Sequence, residues 1–224
     1  MYESEDAWRE VDAYFVDTLV PEDDALREAR ASCLRTTMPH AEVAPNQGRL
    51  LALLCRMSCA RRVLEFGTLA GYSTVWLARA VGAGGHVTTL ELEEHNAGIA
   101  RVNLEWAHVA ERVEIIVGPA ADSARRLVKD AVAPYDFVFI DADKPSNPEY
   151  LRASLELTRP GSVIVIDNVV RNGAVVDPDS ADARVQGVRE VLADIARDER
   201  LEATALQTVG SKGWDGFTLI RRLY

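Results

Sequence analysis

The stretch "RVLEFGTLAGYSTVWLARAVG", residues 62–82, passes from one structural period to another within a few residues. Its first five residues form an apolar, strand-length run, and from about Tyr72 the apolar positions recur at helical spacing. Gly67 and Gly71 lie between, where they allow a tight turn and close approach of the backbone to a neighbour or ligand. A strand, a glycine turn and a helix in succession form the opening unit of a parallel α/β sheet.

The unit recurs along the chain. Strand-like runs follow at HVTTLEL (86–92), VEIIVG (113–118), YDFVFID (135–141) and SVIVIDN (162–168), separated by helical patterns at 93–109, 121–132 and 147–158. Parallel neighbours need helical crossovers, and their strands are buried on both faces. Residues 1–60 read as three helices, the third starting near Asn46 as its cap and carrying Leu50, Leu51, Leu53 and Leu54. After a helix at about 182–198, LEATALQTV and GFTLIRRL alternate as strands around GSKGWDG, a hairpin-like ending with an antiparallel strand. The expected fold is therefore α/β, doubly wound and Rossmann-like. It has a mostly parallel seven-stranded sheet with an antiparallel strand near the C-terminus and a helical N-terminal cap. One domain is expected over 1–224, with the cap at 1–60 and the α/β core at 61–224.

Composition narrows the partners. With 48% hydrophobic and 27% charged residues the chain has the make-up of an ordinary globular domain. No apolar run approaches the ~20 residues of a membrane span. The acidic start MYESEDAWRE is unlike a targeting segment, so a cytoplasmic location without membrane attachment is expected. A formal net charge of −10 argues against nucleic acid and leaves a small molecule as the expected substrate. Cys33, Cys55 and Cys59 make no CxxC pair; Cys55 and Cys59, four apart, are expected on one helix face as small buried side chains.

In such sheets ligands bind at the carboxyl ends of the strands, where the strand order reverses. The charged residues of interest fall at those ends. Glu65 stands immediately before the Gly67–Gly71 turn, and Glu91 ends the second strand, twenty residues past Gly71, where an acid commonly meets ribose hydroxyls. A nucleoside-containing cofactor follows. Positions 67–72 read GTLAGY rather than the dinucleotide pattern G-x-G-x-x-G, and Glu65 would repel a pyrophosphate. S-adenosylmethionine has a ribose, no phosphate, and both a sulfonium and an ammonium cation, so an acid-lined glycine turn suits it.

Two further strand ends carry charge. FIDADKPSN (139–147) runs straight into Asp141, Asp143 and Lys144, and VIVIDN (163–168) ends at Asp167 and Asn168. Such groups are costly to desolvate without a partner, ligand or metal.

The motifs VLEFGTLAGYSTVWLA, VTTLELEEHN, VGPA, FVFIDADK and GSVIVIDNVVRNG, in this order, resemble those of the cation-dependent O-methyltransferases. That family includes catechol and caffeoyl-CoA O-methyltransferases and bacterial relatives, and VAPNQGRLLALL and KGWDGF resemble its bacterial branch. The resemblance runs from about Met38 to the C-terminus, and the pair DADK and DN is its most specific part. It implies a divalent cation held by Asp141, Asp167 and Asn168; three oxygen donors suit a hard ion such as Mg²⁺. It implies Lys144 as general base, alongside Asp141, for methylating one hydroxyl of a vicinal dihydroxy aromatic. It further implies that Gly67 and Ser73 meet the methionine end of the cofactor, together with Glu65, Gly71 and Tyr72 of the same turn. Glu91 would meet the ribose, Ala120 the adenine edge, and Asp141 the cofactor's amino group as well. Asp143 departs from relatives with an aromatic residue there, and is expected to be solvated.

Met38, His40, Arg171 to Gly173 and Trp214 are candidate walls of the acceptor pocket. Relatives suggest a homodimer, and Trp8, Val11, Tyr14, Phe15 and Leu19 give the first helix an apolar face for its own core or a subunit boundary. Two other readings stand beside this one. An NAD(P)-dependent oxidoreductase predicts the missing glycine pattern, and a non-catalytic nucleoside-binding module has no need of Asp141, Lys144, Asp167 and Asn168 together.

Overall fold

The computed structural model describes residues 4–224. Helices α1 (Glu5–Leu19), α2 (Asp24–Ala31) and α3 (Pro45–Met57) precede the sheet. The core then alternates: β1 (Arg62–Phe66), α4 (Tyr72–Val81), β2 (His86–Glu91), α5 (Glu94–Trp106), β3 (Val113–Val117), α6 (Ala120–Lys129), β4 (Tyr135–Ile140), α7 (Asn147–Leu157) and β5 (Thr158–Asp167). Helix α8 (Ala183–Arg197) and the hairpin β6 (Leu201–Gly210) and β7 (Gly213–Arg222) complete it. The seven strands lie in the order β3-β2-β1-β4-β5-β7-β6, with β1 to β5 parallel and β7 antiparallel to both its neighbours. The order reverses between β1 and β4, which places the switch point at the carboxyl ends of those strands.

Both faces of the sheet are covered, as continuous apolar strands require. Val63, Phe137, Phe139 and Val165 pack with α2, α3, α4 and α5 on one side. Leu64, Phe66, Val138, Ile140, Ile164 and Ile166 pack with α6, α7 and α8 on the other. Among the described residues no helix is long and apolar enough to cross a membrane.

Three expectations change in detail and a fourth is narrowed. Helix α3 begins two residues earlier, with Ala44 at its N-cap, Pro45 in its first turn and no side-chain cap bond. Asn46 instead uses its amide to hold the first helix, donating to Asp12 Oδ1 at 3.0 Å. The terminal hairpin is tighter than GSKGWDG suggested: the strands run to Gly210 and from Gly213, leaving Ser211 and Lys212 as a two-residue turn. Asp12, buried on α1, also accepts the Ser211 N–H at 2.7 Å, so one carboxylate fastens the cap to that turn. Cys55 is buried but Cys59 is exposed, because α3 stops at Met57 and Cys59 lies beyond it with φ 54°. Burial pushes the Cys33 and Cys55 thiols up to about 12, which leaves them unreactive. Lastly, of the two places left open for the apolar face of α1, its own core takes only part: Val16 packs on the core and Trp8 is half-buried, while Val11, Tyr14, Phe15 and Leu19 are exposed.

Candidate active site

The carboxyl ends of β1, β2, β4 and β5 converge on one rim of the sheet, and the backbone itself fixes their spacing. The Asp141 N–H donates to Phe66 O at 2.9 Å and the Gly67 N–H to Leu90 O at 2.9 Å, lacing the three strand ends together. Gly67 has φ 95°, and a Cβ there would run into the Asp141 carbonyl, so no other residue fits. Gly71, at φ 81°, caps α4 and turns the chain into it.

Glu65 is fully buried beneath this turn. Its Oε1 accepts from Ser73 Oγ at 2.6 Å, and its Oε2 from Thr74 Oγ1 at 2.5 Å and Thr89 Oγ1 at 2.7 Å. Thr89 is its register partner on β2. Burial pushes the carboxyl up from the usual value of 4.5 to about 7; the three hydroxyls oppose that rise, and the nearby Asp141 adds to it.

Glu91 is held differently, by N–H donors. Its Oε2 accepts from the backbone of Thr68 (3.2 Å) and Leu69 (2.8 Å), and its Oε1 from the Glu93 backbone (3.0 Å) and the Asn96 amide (3.1 Å). Ala120 lies at the start of α6, immediately after Gly118 and Pro119 at the end of β3. Tyr72 opens α4, but its side chain points into the protein and donates to Glu22 Oε1 at 2.7 Å, which leaves only its backbone at the rim.

Asp141 and Asp167 leave adjacent parallel strands whose last paired residues are Ile140 and Ile166. Lys144, almost wholly buried on the short turn after β4, donates to Asp141 Oδ1 at 2.8 Å. Asp167 is also buried; desolvation and the facing Asp141 carboxylate hold it well above the usual carboxylate range, against the pull of Lys144. Asn168 follows at φ 58°, opening a loop in which Arg171, Asn172 and Gly173 also have positive φ. Asp215 Oδ1 fixes that loop by accepting the N–H groups of Val170 (3.0 Å) and Arg171 (3.1 Å). Among the described residues no group of three His, Cys, Asp or Glu side chains forms a ready-made metal cage. The donor set is two carboxylates and an amide, so a cation here would need further oxygens from water or substrate.

Asp143 is not simply solvated. It accepts from Ser146 N (3.2 Å) and Oγ (2.6 Å) and from the Tyr150 hydroxyl, capping the Lys144 turn. Among the wall candidates, Gly173 and Trp214 are brought together, since a Cβ on Gly173 would lie 2.8 Å from the indole. Met38 and His40 are exposed, and Lys212 of the hairpin turn reaches the His40 carbonyl at 2.9 Å. Sequence reading missed Thr74, Thr89 and Asn96, because an isolated hydroxyl or amide carries no signal until folding places it against a carboxylate.

A family model described as O-methyltransferase matches residues 16–223. The chain belongs to the O-methyltransferase family. It is 48% identical over 210 residues to a catechol O-methyltransferase of Mycobacterium tuberculosis, covering 94% of each chain. It superposes with TM-score 0.95 on the O-methyltransferase TomG of Streptomyces achromogenes, solved with SAM, at 47% identity and 100% coverage of both. The O-methyltransferase of Bacillus cereus, solved with SAH, gives TM-score 0.95 at 48% identity, covering 98% of this chain and 100% of the other. Neither the oxidoreductase nor the non-catalytic module finds support beside this membership.

The Glu65 environment predicts a pH effect on the ligand-free protein. Its folded pKa lies above the value of 4.5 expected when unfolded, so between pH about 4.5 and about 7 the folded state holds the extra proton. Stability should therefore fall as pH rises through that window, by about 3 kcal/mol. Urea midpoints across pH 4.5–7.5 should show this fall in the wild type and a flatter profile in Glu65→Gln. Parallel profiles would remove the assignment.

Proposed function

We propose that this O-methyltransferase moves the methyl group of S-adenosylmethionine to one hydroxyl of a vicinal dihydroxy, catechol-like aromatic, with the help of a divalent cation, most simply Mg²⁺. The observation that carries the reading is the pair of carboxylates, Asp141 and Asp167, set side by side at adjacent strand ends beside the acid-lined glycine turn. The catechol O-methyltransferase of Mycobacterium tuberculosis, and the two relatives solved with SAM and with SAH, support it.

Asp141, Asp167 and Asn168 would hold the cation, and the carboxylates, Asp167 buried and Asp141 partly so, fit one: positive charge there would offset the desolvation and the repulsion that raise Asp167. When bound, the ion would draw two adjacent hydroxyls into place and acidify the one to be methylated. Every other task falls to the chain's own residues. Glu91 receives the ribose diol, while Glu65, Gly67 and Ser73 face the cationic methionine end. Ala120 borders the adenine. Lys144, buried beside Asp141, would first give up its ammonium proton to solvent and then, as the neutral amine, take the proton from the acceptor hydroxyl. The reaction then needs alignment above all: the oxygen attacks the sulfonium methyl in line, giving a methyl ether and S-adenosylhomocysteine.

We infer also that the chain works as a homodimer. The uncovered residues Val11, Tyr14, Phe15 and Leu19 on α1, next to edge strand β6, support a subunit boundary there.

With 3,4-dihydroxybenzoate and S-adenosylmethionine, EDTA should abolish methylation and excess Mg²⁺ should restore it. Asp167→Ala should lower turnover by about a hundredfold or more while changing calorimetric affinity for S-adenosylhomocysteine little. Full turnover in chelator ends the metal reading. Lys144→Met should lose about 10²-fold in kcat at neutral pH and less at high pH, where the hydroxyl ionises unaided. A profile parallel to wild type argues against the base. Light scattering should give twice the chain mass of 24.6 kDa, and Tyr14→Glu combined with Leu19→Glu should give the monomer; a monomeric wild type ends the dimer reading.

A further inference from the structure

We propose that Asn96 is a positioning residue of the cofactor site, fixing Glu91 for the ribose diol and coupling that carboxylate to Thr37 in the N-terminal cap. The inference rests on the reading of Glu91 as the ribose acceptor.

Asn96 is buried in the first turn of α5, only 2% exposed. Its Oδ1 accepts the Thr37 N–H at 3.0 Å. Its Nδ2 donates both to Thr37 Oγ1 at 2.9 Å and to Glu91 Oε1 at 3.1 Å. Both donors and one acceptor position of the amide are thus used, and its orientation is fixed. A flipped amide would set N–H against N–H at Thr37 and oxygen against carboxylate at Glu91. One side chain therefore reads both a strand end of the core and a segment 59 residues earlier in the chain.

The four donors on Glu91 are not alike. Thr68, Leu69 and Glu93 offer backbone N–H groups, immobilised by the glycine turn and the start of α5. Asn96 alone among them offers a side chain. Each carboxylate oxygen accepts from more than one direction, so a diol that donates to Glu91 shares the carboxylate with these donors, and the Asn96 amide holds Oε1 in position through its other arm on Thr37.

Thr37 begins the stretch that leads to α3. His95, beside Asn96, docks the same stretch through a 2.8 Å contact to the Arg35 carbonyl. Further along, Lys212 pins it at the His40 carbonyl and at Glu42 (2.8 Å). The cap is thus fastened to the core on both sides of Met38, and the Asn96 fastening is the one that touches a cofactor group.

The test is calorimetric affinity for S-adenosylhomocysteine, which needs no methyl acceptor, together with KM for S-adenosylmethionine and kcat. Asn96→Ala should weaken binding about tenfold, with the loss appearing in KM and a much smaller change in kcat. Thr37→Val, at an exposed position, removes only the Oγ1 arm and should weaken binding about threefold. Coupling through one amide predicts that the double variant binds no worse than Asn96→Ala alone. Wild-type affinity in Asn96→Ala, or strictly additive losses, overturns the proposal. Glu91→Ala separates the two readings. If it binds as wild type, the ribose assignment fails; if it binds weakly while Asn96→Ala does not, only the role of Asn96 fails. Should Asn96→Ala not fold, Asn96→Asp keeps the buried volume and the Thr37 N–H acceptor, and is judged by the same affinities.

Discussion

Two carboxylates, Asp141 and Asp167, are delivered to the same rim of the sheet by adjacent parallel strands, and the rest of the site is arranged around that placement. Like charges at strand ends inside a protein are costly, and the raised Asp167 carboxyl records the cost. The surroundings prevent them from moving apart. Gly67 lies directly under the Asp141 carbonyl, Lys144 is buried against Asp141, and Gly187 of α8 lets that helix press on the Lys144 backbone. On the other side, Asp215 holds the loop that follows Asp167 by its backbone N–H groups. A pair constrained from so many directions supports the proposed role in holding a cation.

The two glutamates show how one residue type takes two environments. Glu65 is surrounded by hydroxyls, which can donate or accept and so follow a change in its protonation. Glu91 is surrounded by N–H groups, which can only donate. The division has a structural origin: Glu65 lies in mid-sheet beside its cross-strand partner Thr89, whereas Glu91 ends its strand where the backbone turns and offers free N–H groups.

The N-terminal cap is joined to the core by polar contacts at points where sequence gives no warning. Asp12 on α1 holds both Asn46 and the β6–β7 turn, and Lys212 in that turn holds the 40–42 stretch. These contacts explain why α1 stays in place with part of its apolar face turned outward. They also bring the first and last thirds of the chain to one side of the site.

The sequence by itself determined the alternation of strands and helices, the glycine turn, and the strand-end acids, because each is a local pattern: a period, a positive-φ residue, a charge closing an apolar run. It placed Gly67, Glu91, Asp141, Lys144, Asp167 and Asn168 at the carboxyl ends of the strands. Local pattern could not reveal that the Tyr72 side chain turns inward to Glu22, that Asp143 caps its own turn, or that α1 keeps part of its apolar face outside. Nor could it find Thr89 or Asn96, whose significance is a contact across 24 or 59 residues of chain. Those were decided only in three dimensions, because hydrogen bonding and burial depend on which distant residues the sheet register brings together.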